Sequence, residues 1–276
     1  MTPALLLIYA TAIEVATVFH FWPPDGLWWR WRRGLMASGR VLLEDALKHL
    51  HSCEFSELEA TLDSVAGALG VARDRAAELL SRLQSEGLAT ARDGKWTLTN
   101  EGRSYALRVV RTHRLWERYF SDETGMPAEE WHAEAEILEH QTTPSELEAL
   151  SARLGHPRFD PHGDPIPTSA GGMPRSASGR PLPQLAPDTV GEIVHVEDEP
   201  AAIYSQLVAE GLHPGMRVRV LDVTPERIRF EADAEEFVLA PVVAGNLTVR
   251  ERPQVEMPAW YEPLSDLEPG ETARVM

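Results

Sequence analysis

The chain has 276 residues, of which 43% are hydrophobic and 25% are charged, so its length suits about two globular domains. Its formal net charge of −17 argues against nucleic-acid binding by the chain as a whole, because phosphate contacts need Lys and Arg. The single cysteine, Cys53, excludes a disulfide framework and a zinc site made of cysteines alone.

Residues 4–22 form an apolar run that is about long enough to cross a bilayer. Trp22 ends this run, and three more tryptophans and three arginines follow by residue 33, a pattern typical of a span that ends on the cytoplasmic side. We therefore predict a transmembrane helix with an aromatic and basic exit over residues 1–36. The alternative is a buried or interfacial helix.

Residues 38–112 carry the pattern of a winged helix-turn-helix. Apolar residues recur at helical spacing over residues 40–54, and two more helices follow, separated at Gly70 and ended by Gly87. Alternating residues then flank a turn at Asp93 and Gly94, which predicts a hairpin. In such a unit the last of the three helices enters the DNA major groove.

The basic residues of the chain are concentrated in this region. Residues 71–118 contain ten basic and six acidic residues, so any DNA contact is expected there. The predicted contacts are Arg73, Arg75, Arg82, Arg92 and Lys95. Asp74 and Glu78 lie on the same helix and would repel phosphate, so weak or lost DNA binding stays open as an alternative.

Three amphipathic helices are predicted next, over residues 100–120, 127–141 and 143–155. The second contains "HAEAEILEH", which places two histidines and two glutamates on one helical face. The helix before it has "THRLWE", with His113 and Glu117 one turn apart. Such stripes are either solvated surface or facing halves of a metal site, and their occurrence on consecutive helices favours the metal site.

A Pro-, Gly- and Ser-rich stretch over residues 169–187 is predicted to be a linker. Five short β-like runs and one helix follow over residues 188–251, which suggests a small SH3-like barrel. The tail at 252–276 echoes the start of that domain: "PLPQLAPDTVGEIVHV" is followed by "PLSDLEPGETARVM". We expect the tail to begin a second copy that is cut short, with chance similarity as the alternative.

The segments "THRLWE", "HAEAEILEH" and "LGHPRFDPHGDPIP" together resemble the diphtheria-toxin-repressor family of metal-activated transcription regulators, over residues 41–249. The resemblance implies a multidomain α+β chain. It would consist of the winged helix, an all-α dimerisation and metal-binding domain over residues 113–168, and an SH3-like, or FeoA-like, domain.

The same resemblance implies the metal ligands. The ancillary site would be His113, Glu117 and His132, and the primary site would be Asp45, Glu136, Glu139 and His140. Iron sensors of the family carry Met and Cys at the positions of Asp45 and Glu136, whereas manganese sensors carry carboxylates, as this chain does. Oxygen donors suit Mn²⁺, so we expect Mn²⁺ ahead of Fe²⁺. Manganese sensors also carry an acid where Lys48 stands, so a second Mn²⁺ bound in their manner is not expected.

The implied function is a homodimeric, metal-dependent regulator that binds double-stranded operator DNA and represses metal-uptake genes. Alternatively, the N-terminus resembles the last helix and basic exit of a metal ABC-transporter permease. The chain would then be a membrane-attached metal-sensing module with weak or lost DNA binding. Its cytoplasmic domains would be tethered to the inner face of the membrane beside transporter subunits; without the span the chain would be cytoplasmic. An enzyme is not expected, because no nucleophile or general base stands out beyond the ligands.

Overall fold

The computed structural model describes residues 39–175 and 178–252, which form two compact units divided between Ser176 and Ala177. The membrane helix predicted over residues 1–36 and the tail beyond residue 252 lie outside the described residues. Every helix within the described ranges falls short of the length or the apolar character that a membrane span requires.

The first unit is mainly helical, with one small antiparallel sheet of order β1-β3-β2. Its elements in chain order are α1 (Gly39–Phe55), β1 (Ala60–Thr61), α2 (Leu62–Ala68), α3 (Arg73–Ser85), β2 (Ala89–Arg92), β3 (Lys95–Leu98), α4 (Asn100–Glu123), α5 (Ala128–Glu139) and α6 (Pro144–Arg153). Each helix predicted in this region is present, but α2 begins only at Leu62, after the short strand β1, although a helix was predicted from Ser56.

Helices α1, α2 and α3 and the hairpin form the predicted winged helix-turn-helix. Their apolar faces share one core, in which Leu47, Leu50 and Leu80 are fully buried. The two-residue hairpin turn holds Asp93 and Gly94 at φ values of 52° and 77°, the left-handed conformation that such turns need. The wing is therefore a β2–β3 ribbon beside α3.

Helix α4 runs without a break across the boundary predicted between residues 112 and 113. Its N-terminal part packs against α1, and its later turns pack against α5 and α6. A second small core joins it to α6 through Leu115, Leu147 and Leu150. The winged helix and the helices that carry the histidines thus belong to one unit, held together by α4.

The second unit is one antiparallel sheet of order β4-β9-β5-β6-β7-β8 with two short helices. Its elements are β4 (Arg180–Pro181), β5 (Val190–Val196), α7 (Ala201–Ala209), β6 (Arg217–Val223), β7 (Ile228–Ala232), β8 (Glu235–Leu239), α8 (Pro241–Ala244) and β9 (Leu247–Glu251). The five predicted strands are present. Within residues 178–252 the sheet is open, with β4 and β8 as its edge strands. Strand β4 lies in the segment predicted as a linker, and it pairs with β9.

Gly102 in the first turn of α4 tests how closely this helix approaches the winged helix. A methyl group on Gly102 would lie 1.8 Å from the carbonyl oxygen of Leu88, so Gly102→Ala should force the backbone apart and lower the free energy of unfolding by about 1–3 kcal/mol. The matched control is Gly67→Ala in α2, where a methyl group meets nothing within 4 Å and should stabilise by about 0.5–1 kcal/mol. Urea unfolding of both variants measures this, and equal midpoints for Gly102→Ala and the parent would contradict the close approach.

Candidate metal centre

Three of the four residues predicted for the primary site come together where α1 meets the end of α5. The Nε2 atom of His140 lies 3.3 Å from Oδ1 of Asp45 and 3.3 Å from Oε1 of Glu139. The ligand atoms of all three residues lie within 4.8 Å of one another. Asp45 comes from the winged helix, Glu139 ends α5 and His140 follows it directly, so the group joins the two parts of the unit.

The three residues predicted for the ancillary site meet between α4 and α5. The Nε2 atom of His113 lies 2.9 Å from Oε1 of Glu117, and Nδ1 of His132 lies 3.3 Å from both atoms. His113 and Glu117 are buried, and His132 is about one-third exposed. One carboxylate oxygen thus has two imidazole nitrogens around it.

Glu139 connects the two groups. Its Oε1 faces His140, while its Oε2 lies 2.6 Å from Nδ1 of His113, whose other nitrogen belongs to the ancillary group. The ammonium of Lys48 lies 2.8 Å and 3.1 Å from the same two oxygens. The fully buried Glu139 carboxylate is therefore held from α1, α4 and α5 at once.

Glu136 and His162 lie in places that the sequence did not predict. Glu136 is 43% exposed and lies 3.6 Å from Nε2 of His132, on the ancillary side rather than in the Asp45 group. Buried His162 places its Nε2 3.7 Å from Oε1 of Glu117. The "DPHGDP" loop turns it inward, because Asp160 accepts hydrogen bonds from the backbone N–H groups of His162 and Asp164.

Glu44 was missed by the sequence analysis, although it is almost completely buried beside the Asp45 group. Its carboxylate accepts hydrogen bonds from Nδ1 of His140 at 2.6 Å, the Tyr105 hydroxyl at 2.5 Å and Nε of Arg40 at 2.9 Å. A carboxylate on Nδ1 leaves Nε2 of His140 facing the group, which is the arrangement that orients a metal-binding histidine. Only its position next to Asp45 on the buried side of α1 could have indicated it.

Protonated imidazoles balance the negative charges of the centre. Burial opposes a charge on His140, but hydrogen bonds to Asp45 and Glu44 outweigh it and raise its pKa to about 9. Burial likewise opposes a charge on His113, yet the Glu117 charge and hydrogen bonds to Glu117 and Glu139 raise its pKa to about 9. Each imidazole must lose its proton before that nitrogen can bind a metal, so metal binding would release protons.

The same contacts lower the pKa values of the carboxylates. Burial alone would raise the pKa of Glu44, but its hydrogen bonds to His140, Tyr105 and Arg40 lower it to about 2. Burial also opposes the charge on Glu117, whose pKa is nevertheless held well below its usual range by His113. Ionised carboxylates this close to nitrogen donors fit a divalent cation, which would replace the protons that now neutralise them.

The predicted DNA contacts all lie on the exposed surface of the winged helix, and each is paired with an acid. Nitrogen–oxygen distances are 3.2 Å for Arg73–Asp63, 2.8 Å for Arg75–Glu78, 2.7 Å for Arg82–Glu86 and 3.7 Å for Arg92–Asp93, and Lys95 contacts Glu59. Exposed ion pairs are each worth about 0–1 kcal/mol, so phosphate can displace them, at some cost in affinity.

Comparisons with known proteins agree with this architecture. The profile described as "Iron dependent repressor, metal binding and dimerisation domain" matches residues 99–168. The iron-dependent repressor IdeR of Mycobacterium leprae is 33% identical over 156 residues, which cover 52% of this chain and 67% of that protein. The chain belongs to the family of iron-dependent repressors.

Two further similarities bear on this member of the family. A solved structure titled "Manganese-dependent transcriptional repressor complex with manganese" is 29% identical with a TM-score of 0.67, covering 75% of this chain and all of that one. A probable metal transport system membrane protein of Chlamydia trachomatis is 38% identical over 85 residues, 31% of this chain. The chain spans only 19% of that chlamydial protein.

Glu44→Gln tests whether Glu44 orients His140. The amide keeps the size of the side chain but removes the charge that holds the imidazole, so Mn²⁺ affinity should fall about 10- to 100-fold, the range known for such partners. Competition with a fluorescent chelator measures it. Glu130→Gln, an exposed acid of α5, is the control for lost charge, and equal affinities of both variants would contradict the role of Glu44.

Proposed function

We propose that this repressor-family chain is a transcriptional regulator that binds operator DNA when Mn²⁺ or Fe²⁺ occupies the centre. The supporting observation is that Asp45 lies on α1 of the winged helix, whereas Glu139 and His140 lie at the C-terminal end of α5. A ligand set drawn from both parts of the unit makes the position of the winged helix depend on whether the set is filled.

In the proposed mechanism, side chains of this protein position the atoms that bind the metal. Glu44 orients the imidazole of His140, and Glu139 connects the two donor groups. Helix α4 carries His113 and Glu117, and its N-terminal part packs against α1 of the winged helix. Asp45, Glu139 and His140 would hold the ion, which would supply positive charge in place of the imidazole proton of His140. Filling the site therefore favours one orientation of α1 that already exists.

We propose Mn²⁺ ahead of Fe²⁺ because of the chemistry of the donor atoms. Asp45, Glu139 and His140 offer two oxygens and one nitrogen, and no sulfur atom belongs to any donor group within residues 39–175. Oxygen-rich sets suit harder ions such as Mn²⁺. The similar structure whose title names manganese points the same way, and the mycobacterial relative named as iron-dependent keeps Fe²⁺ as the alternative.

The DNA-binding form is proposed to be a homodimer, because the family profile that matches residues 99–168 is described as a dimerisation domain. Two copies of α3 would then enter successive major grooves of an operator, with Arg92 and Lys95 of each wing on phosphates. Repression of metal-uptake genes is the regulatory outcome that we propose. No enzymatic role is proposed.

Fluorescence anisotropy with the full chain tests this function. Labelled DNA from upstream of its own gene and of nearby metal-uptake genes is titrated at one stated salt concentration with Mn²⁺, anaerobic Fe²⁺, Zn²⁺ or a chelator. Specific binding should need Mn²⁺ or Fe²⁺, and His140→Ala should lose at least tenfold in affinity with metal present while Glu130→Gln should not. Identical binding with metal and with chelator would refute metal-dependent regulation.

A second candidate function is a membrane-attached metal-sensing module of a metal transporter, with weak or lost DNA binding. It is favoured by the similarity to the chlamydial metal transport membrane protein and by the acids paired with every predicted DNA contact. The chain would then be tethered to the inner face of the membrane beside transporter subunits. On the main proposal without that tether it would be cytoplasmic.

Glu78→Gln discriminates between the two functions. The substitution frees Arg75 from the carboxylate 2.8 Å away and removes a negative charge from α3, so a chain that binds DNA should bind operator about 3- to 10-fold more tightly. Anisotropy at two salt concentrations measures this, with Glu235→Gln in the second unit as the control. A parent and a Glu78→Gln variant that both fail to bind any tested promoter would favour the transporter module instead.

A further inference from the structure

Lys48 is one of only two lysines among the 26 basic residues of the chain, the other being Lys95. It lies one turn after Asp45 on α1, and its side chain is 24% exposed. Its ammonium is within hydrogen-bond distance of both oxygens of Glu139, at 2.8 Å and 3.1 Å. A positive charge is thus built into the chain at the point where the two donor groups meet.

Most lone pairs of the Glu139 carboxylate already face nitrogen atoms, so few are left to bind metal ions. One oxygen faces Lys48 and His140, and the other faces Lys48 and His113. A carboxylate bridges two metal ions by giving one oxygen to each. While Lys48 holds both oxygens, Glu139 can serve one ion beside Asp45 and His140 but cannot bridge to a second.

We propose that Lys48 is a permanent, tethered cation of this metal centre, which stands in for a second ion on Glu139. It restricts the group of Asp45, Glu139 and His140 to a single divalent ion and weakens the binding of that ion by charge repulsion. The inference rests on the proposed metal-sensing function, and it makes Lys48 the residue that sets the metal concentration to which the chain responds.

A purely structural role for Lys48 makes a different prediction. If the ammonium only neutralises buried Glu139, its removal leaves an unpaired buried charge, and the metal-free protein loses stability. The number of ions bound per subunit would then stay the same. Stability alone cannot separate the two roles, whereas ion number and affinity can.

The experiment measures Mn²⁺ binding to the full chain by equilibrium dialysis, with free Mn²⁺ read by electron paramagnetic resonance. Removing the charge in Lys48→Gln should tighten binding at the Asp45 group about tenfold or more. Lys48→Glu, which reverses the charge, should bind one additional Mn²⁺ per subunit. Lys48→Arg, which keeps the charge, and Lys95→Gln, which removes the other lysine charge of the chain, should both match the parent.

The paramagnetic resonance spectrum of the loaded parent protein adds a test that needs no variant. Carboxylate-bridged Mn²⁺ ions are exchange-coupled, so the parent should show only uncoupled ions and Lys48→Glu should show a coupled pair. A coupled pair in the parent, or unchanged ion number and affinity in both Lys48→Gln and Lys48→Glu, would overturn the role of Lys48. A parent chain that binds no Mn²⁺ or Fe²⁺ would refute the proposed function itself, and this inference with it.

Discussion

The buried carboxylate of Glu139 is the point on which the first unit depends. A charge without access to water must be paired, and the partners of Glu139 come from three helices: Lys48 on α1, His113 on α4 and His140 just after α5. These contacts join the winged helix to the helices that carry the histidines. Side chains of the chain itself therefore bring the two donor groups together.

That organisation changes what a bound ion has to do. In a chain without the Lys48 contact, an ion would supply both the link between the helices and the charge balance of the carboxylates. Here an ammonium and two protonated imidazoles already provide much of both. An arriving ion exchanges with protons at His113 and His140, so its effective affinity depends on the proton concentration as well as on the donor atoms.

Much of the fold follows from local sequence signals, and the centre follows only in part. Periodicity and the Asp93–Gly94 turn were enough to predict the helices and the wing, because each depends on residues close in the chain. Helical spacing already grouped Glu139 with His140, but Asp45 joined them only through resemblance to a family, since it lies far from both in sequence. Glu44 and His162 escaped prediction because their roles depend on packing: a buried glutamate and a solvated one look alike in a sequence. Glu136 was predicted for the Asp45 group, whereas its side chain lies beside His132 in this structure.

The donor atoms of the first unit also determine how the centre would react with oxidants. Their atoms are carboxylate oxygens and imidazole nitrogens, and Cys53 lies buried in the core of the winged helix, outside them. Thiolate and thioether ligands are oxidised by peroxide, whereas carboxylates and imidazoles resist it. A regulator built on this centre and loaded with Mn²⁺ would keep its ligands intact under peroxide stress, so it would continue to report metal supply in conditions that disable a sulfur-ligated sensor.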